Sequence, residues 1–415
     1  MNMLLRIAFM ACAMALTAMS GLAQAADRKG DDTAVSVAVG EPLQAAQELL
    51  QARQYKAALA KVAEAEKAGS ISPYERYMID RMRGSAAVGA GDTAAAIRSF
   101  EAVLDSSFLP AADRTAMLEA LARLNFSARH FPATIEAAQK YKAAGGSNPT
   151  TLEILPQAYY LGQRYAEAAR ELERLMAASD AAGKAPSEQQ IQLLASCALK
   201  QGDMDAYVSA LRRMVTYYPS EKHWLDLVLR TANRSGFSDR LSLDVYRLRQ
   251  HTGTLDSASD YMEAVQLALQ SGFPGEADQL IKQGFKSGLL GKGQAQDVNR
   301  QKRLQELVQR KISEDKATLA EGETQAERQS TGDALVNTGQ NYVAYGQYDK
   351  GIALIRKGIA KGGLKRPEDA RLHLGYAQYL AGQKDEASRT FATVKGTDGS
   401  RDLAALWILL CRRSA

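Results

Sequence analysis

Four histidines, three cysteines and one glycine-rich loop are the residues whose types could support metal or phosphate chemistry, and their spacing argues against both. His130, His223, His251 and His373 lie far apart, and none stands four residues from another, the offset that puts two imidazoles on one helical face for zinc. Cys12, Cys197 and Cys411 supply no closely spaced pair. Gly288-Leu289-Leu290-Gly291-Lys292-Gly293 has the composition of a phosphate loop. Its spacing is too short, however, Gly293 stands where a hydroxyl would hold magnesium, and no strand precedes it. No Gly-x-Ser-x-Gly elbow occurs. The carboxylate pairs Glu171/Glu173 and Glu314/Asp315 read as solvated helix faces, without an acid–base role. The expectation is therefore no enzyme, no cofactor and no metal site.

What the chain offers instead is surface, and its composition says on what kind of element. Hydrophobic residues make up 46% and charged residues 24%, while aromatics are only 7%. Alanine-rich sequence with few β-branched runs favours closely packed helices. The net charge of +5 is mild and both signs are interspersed, so no nucleic-acid groove is expected. Residues 1–25 read as a cleaved signal peptide: Arg6 gives a positive start, Ile7 to Leu22 is largely apolar, and Ala23-Gln24-Ala25 offers a small-x-small cleavage site. Losing Arg6, the one charged residue before Asp27, takes the mature charge from +5 to +4. No later stretch is apolar for long enough to span a membrane, so a soluble periplasmic or secreted protein is expected. Residues 26–41 form a polar leader, expected to be a flexible arm.

From Leu43 a helical period takes over, and the positions that matter recur. An aromatic or turn residue opens every second helix, and a small residue usually follows three positions later. The pairs are Tyr55/Ala58, Thr93/Ala96, Phe131/Thr134, Tyr165/Ala168, Met204/Tyr207, Pro274/Ala277, Tyr348/Gly351 and Lys384/Ala387. The first five openers are 34 to 39 residues apart and the last two 36. Around Tyr165, Leu152, Leu155 and Tyr159 form one apolar stripe, and Ala168, Leu172 and Leu175 form another. Gly91, Gly202, Gly272 and Gly346 stand where a left-handed residue must end a helix. Residues 42–290 thus hold the N-terminal and central repeats. Within them, 221–253 is degenerate, because Leu241 replaces the small residue. Residues 291–330 read as one long charged helical insert, 331–396 as two clear repeats, and 397–415 as a C-terminal capping helix. Cys197 and Cys411 are expected to be separately buried thiols.

The clearest copies are Leu335, Gly339, Tyr342, Gly346, Tyr348, Gly351, Ile355 and Gly358, then Leu374, Gly375, Gly382, Ala387, Phe391 and Val394. This pattern resembles the tetratricopeptide repeat. The segment from Lys361 to Ser400, with Gly362-Gly363 and Pro367-Glu368-Asp369, also resembles exported proteobacterial tetratricopeptide repeat proteins of unassigned function. The resemblance implies an all-α, right-handed superhelical α-solenoid of tetratricopeptide-like helix pairs. Its first helices would line a concave groove for a protein or peptide partner. Placed on the family pattern, the groove residues are Arg81, Arg123, Phe126, Gln157, Tyr160 and Gln266, then Asn337, Gln340, His373, Tyr376 and Tyr379. Amide side chains can bond an extended backbone, and tyrosine supplies flat area at low entropic cost. No lysine accompanies Asn337 and Gln340, so the carboxylate-gripping variant of the family is not expected. The implied function is an exported protein–protein interaction scaffold. The alternative is a cell-envelope adaptor that binds an anionic glycan or polysaccharide-export machinery through groove arginines.

Overall fold

The computed structural model describes residues 33–413, all helix and turn among those described. Residues 1–25, read above as a signal peptide, lie outside them. The chain divides into two compact units, Met1–Ala185 with Ser196–Asp203, and Pro186–Ala195 with Met204–Ala415.

Unit 1 is built from α1 (Val37–Gln51), α2 (Tyr55–Ala65), α3 (Pro73–Ala90), α4 (Thr93–Asp105), α5 (Ala111–Ser127), α6 (Phe131–Ala143), α7 (Pro149–Leu161) and α8 (Tyr165–Ala181). Each helix packs on its sequence neighbours, and α1 on α3 and α5 on α7 bring successive first helices together. Local chemistry sets the boundaries. Ser72 and Glu75 form a capping box at the start of α3, where Pro73 occupies the first turn. Gly91 ends the same helix at φ 80°. Residues 37–41, expected within a flexible arm, are helical instead: α1 begins at Val37 and buries Val39 completely. The cause is Glu75: its carboxylate accepts from both the backbone N–H and the hydroxyl of Ser36 (2.7 and 2.6 Å) and from the Ser72 N–H (2.7 Å). Burial alone would raise the Glu75 pKa, but these hydrogen bonds outweigh it and hold the group at about 2.

Unit 2 runs through α10 (Met204–Tyr217), α11 (Glu221–Ala232), α12 (Ser242–Thr252), α13 (Ala258–Gln270) and α14 (Pro274–Lys286). It continues with α15 (Ala295–Arg328), α16 (Asp333–Ala344), α17 (Tyr348–Lys361), α18 (Pro367–Leu380), α19 (Lys384–Phe391) and α20 (Ser400–Arg413). One further helix, α9 (Glu188–Gln201), is shared between the two units. The long charged helix expected at 291–330 is α15, which buries only Gln301, Leu304, Val308 and Ala326. It lies on α14 and α16, where Tyr345 and Tyr342 donate to its Asp315 (2.7 Å) and Glu323 (2.6 Å). Between α16 and α17 the backbones themselves touch. A Cβ added to Gly339 would stand 2.7 Å from the Gly351 carbonyl oxygen, and one on Gly351 would stand 2.6 Å from that of Gly339.

Every opener named from the sequence is the first residue of its helix, from Tyr55 to Lys384. Ala58, Ala96, Thr134, Ala168, Ala277 and Ala387 are completely buried three positions on. Cys197 and Cys411 are both free and buried, and burial pushes each thiol up to about 11. Among the described residues, no helix is long and apolar enough to cross a membrane.

Candidate functional site

Strictly stacked repeats touch only their neighbours, and unit 2 departs from that rule. Its degenerate repeat is packed on every side: α12 buries Leu243, Asp244, Val245, Arg247, Leu248, Arg249 and Thr252. Residues far along the chain close over it. Arg240 reaches Asp369 (2.8 Å), Asp244 reaches His373 (3.2 Å), and Arg212 and Arg234 both reach Asp402 (3.2 and 3.3 Å). His251 projects from α12 among the rings of Tyr376 (5.9 Å), Tyr379 (5.2 Å) and Trp407 (5.6 Å between centroids). The capping helix α20 therefore does more than cover the last repeat, since it also packs on α10, α11 and α12.

At the centre of this closure the Arg247 guanidinium is fully engaged. It holds Glu276 through two bonds (2.7 and 2.6 Å) and Asp244 through a third (2.8 Å), and it stacks between the rings of Tyr376 (4.9 Å) and Phe273 (5.5 Å). Burial would raise the Asp244 pKa, but His373 and Arg247 outweigh it and hold the carboxyl at about 2. Beside the network lies a small recess of ≈ 20 Å³, room for about one water molecule. Arg247, Glu276, Gln279, Gln340, His373 and Tyr376 give it polar groups, and Val343, Ala344, Ala377 and Leu380 give it apolar wall.

Three of the residues read from the sequence, Gln340, His373 and Tyr376, thus converge on one place, but not as an open groove. Gln340 and Tyr376 are each only 8% exposed. Tyr376 is buried because Arg247 covers its ring, and Tyr379 is half-buried against His251 and Trp407 (5.0 Å). The expectation of a free tyrosine face at this end is corrected accordingly. Asn337 is exposed and Gln266 half-buried, and neither lines the recess. Sequence reasoning missed Asp244, Arg247 and Glu276. The available signal was an Asp-x-x-Arg pair at i, i+3 interleaved with Leu243, Val245 and Leu248, so that burying those side chains draws the charges in with them and demands partners.

In unit 1 the remaining five residues lie on α3, α5 and α7. Gln157 is exposed, and Phe126 and Tyr160 are half-buried, each ring packed on the residue that opens the next helix: Phe131 at 6.4 Å and Tyr165 at 5.4 Å. The two arginines are committed within the unit. Arg81 bonds the Tyr77 hydroxyl (3.1 Å) and meets Asp113 on α5 (3.5 Å). Arg123 pairs with Glu119 (3.0 Å) and donates to the Thr151 hydroxyl (3.0 Å), while Glu119 also accepts from Asn148 (2.8 Å). These bonds lock α5 to α7. The Glu171 face read as solvated is also engaged: its side chain is 12% exposed and joins α8 to Lys142 of α6 (3.1 Å).

Models of the tetratricopeptide repeat match residues 81–149, 192–220 and 369–396. No curated protein sequence matches it. Among solved structures it is similar to a tetratricopeptide repeat protein from Parabacteroides merdae, at 12% identity and a TM-score of 0.33 over 83% of this chain and 100% of that one. A complex of the TPR2AB domain of yeast Sti1 with pHSP90 matches at 12% identity and 0.25, over 71% and 98%. Yeast Tom70 matches at 13% identity and 0.19, over 91% and 96%.

Proposed function

We propose that this chain is an exported protein–protein interaction scaffold, non-catalytic, whose open binding face is the first-helix row of unit 1. The observation that carries the reading is the fixed α5–α7 pair. Phe126, Gln157 and Tyr160 stand at its surface, while Glu119, Arg123, Asn148 and Thr151 bond the two helices together beneath them. A face held in place before the partner arrives costs little ordering when it binds, so modest contacts suffice for capture. Matches to tetratricopeptide repeats in three segments support the same reading. Export rests on the signal-like character of residues 1–25.

The anionic-glycan alternative draws no support from the arginines, since Arg81 and Arg123 already face Asp113 and Glu119. The test is a crosslinking pull-down with the full chain as bait. Replacing Gln157 and Tyr160 together by alanine should reduce recovery of the partner several-fold and leave the helical circular dichroism unchanged. Undiminished recovery would remove the binding face from α7. A steep loss of wild-type capture with rising salt would favour the glycan reading instead.

A further inference from the structure

We infer that the α5–α6 and α7–α8 turns of unit 1 form an exposed basic edge that docks an acidic, extended peptide segment of the scaffold's partner. The inference deepens the scaffold reading and rests on it.

Backbone geometry singles these two turns out. Arg129 and Gln163 both hold a left-handed φ of 61°. Their N–H groups donate to the Phe126 and Tyr160 carbonyls (3.0 Å each), and the His130 and Arg164 N–H groups donate to those of Asn125 and Tyr159 (2.9 and 2.8 Å). The chain thus makes the same hydrogen-bonded turn twice, and Arg129, His130, Gln163 and Arg164 are all exposed on it. The two turns are also in contact, since a Cβ on Gly162 would stand 3.7 Å from that of Phe131.

Strain points to a use beyond the turn itself. A Cβ is unfavourable at this φ, and glycine makes the equivalent turn at Gly91, Gly202, Gly272, Gly346 and Gly382. Side chains held in such a conformation cluster at ligand clamps.

Charge says what docks. The Arg129 side chain makes no hydrogen bond or ion pair with the described residues. Arg164 lies over the Tyr159 ring at 4.9 Å, which fixes its direction, and meets Glu167 at 2.9 Å. Water reaches both members of that pair, so an incoming carboxylate can replace Glu167 at little cost. Asp92, the acid of the preceding turn, is committed to capping α4 through the Ala95 N–H (2.9 Å).

The neighbouring groups suit a peptide. Packed helices such as α5 and α7 stand about 8–10 Å apart, a span that an extended chain crosses in about three residues. Phe126 and Tyr160 lie one turn behind the arginines and offer ring area to its side chains. The Gln163 amide can both donate to its backbone and accept from it.

The test is fluorescence anisotropy on the full chain with two labelled, blocked octapeptides, one alternating glutamate with glycine and one alternating glutamine with glycine. At low salt the glutamate peptide should bind at least fivefold more tightly. Arg129→Gly should weaken it threefold or more while raising the melting temperature, because it relieves the strained turn. Arg129→Lys keeps both the charge and the strain, and should bind within twofold of wild type. Equal binding of the two peptides, or wild-type binding by Arg129→Gly, overturns the basic edge. A lowered melting temperature in Arg129→Gly overturns it as well, since the side chain would then serve the turn and not a partner. Tetragalacturonate displacing the glutamate peptide at equal concentration overturns the peptide occupant and gives the edge to an anionic glycan. The scaffold reading is judged separately: partner capture lost on replacing Gln157 and Tyr160, but intact in Arg129→Gly, keeps the scaffold and discards the edge.

Discussion

Single residues decide how unit 2 responds to acid, and His251 does so most directly. Its imidazole lies among Tyr376, Tyr379 and Trp407, with Arg247 and Glu276 as the charged groups nearby. Burial, reinforced by the Arg247 charge and opposed by Glu276, pushes its pKa down to about 4. In the unfolded chain the same imidazole titrates near the ordinary histidine value. Between those limits the unfolded state binds a proton that the folded state refuses, so stability is full above the upper limit and falls as pH drops toward 4. The loss attributable to this one residue is roughly 3 kcal/mol at most. Urea denaturation at pH 7.5 and pH 5 should show it. His251→Phe, aromatic but without a proton to take up, should lose clearly less stability across that interval than the wild type. If the two proteins lose equal amounts, His251 does not control the acid response. Asp244 acts further down the scale: its carboxyl is held at about 2, so its contribution persists to lower pH and is lost only as pH falls through that value.

At the scale of elements, one backbone position recurs with unusual regularity. Two residues before each opener the chain turns through a left-handed conformation, at Gly91, Gly202, Gly272, Gly346 and Gly382 but also at Arg53, Arg129 and Gln163. The last three hold φ of 59°, 61° and 61°, where a Cβ is unfavourable by about 1–2 kcal/mol. Glycine there relieves the strain but is freer when unfolded, which offsets part of the gain. Arg129→Gly should therefore raise stability by about 0.5–1 kcal/mol. Gly339→Ala should do the reverse by about 1–3 kcal/mol, since its methyl meets the Gly351 carbonyl across the α16–α17 crossing. Gly322→Ala is the control: it lies inside α15 with open space around the new methyl, and the better helix former should stabilise. Chemical denaturation of the three variants separates these effects, and a neutral or stabilising Gly339→Ala would show that the crossing yields. Helix starts were legible in sequence because each opener sits at a turn whose chemistry is local. The start of α1 was not, because Ser36 is held by Glu75, a partner 39 residues away that no local pattern announces.

Across the molecule the limit of sequence reading has the same origin. The period of 34 to 39 residues specifies which helices are neighbours, and unit 1 follows it. Nothing in a period says that distant repeats will meet. In unit 2 the meeting is carried by individual charges and rings, such as Arg240 with Asp369, Asp244 with His373, and Trp407 stacked on Phe391 at 5.9 Å and leaning on His251. That is why Gln340, His373 and Tyr376, expected along an open groove, lie instead beside a closed network. Closure also changes how this unit should unfold. An open stack frays from its end, because a terminal lesion reaches remote repeats only through the intervening interfaces. Here α20 contacts α10, α11 and α12 directly, so damage to the C-terminal helix acts at once on the start of the unit. Trp224 on α11 is completely buried and offers the reporter. In a Trp407→Phe background it is the sole tryptophan, since the chain has two. Leu403→Ala in α20, at a completely buried position, should lower the stability read by Trp224 fluorescence by about 2–4 kcal/mol, and helical circular dichroism should fall through the same transition. A Trp224 transition that stays in place, preceded by an early loss of helix, would mean that α20 detaches alone and that unit 2 behaves as an open stack after all.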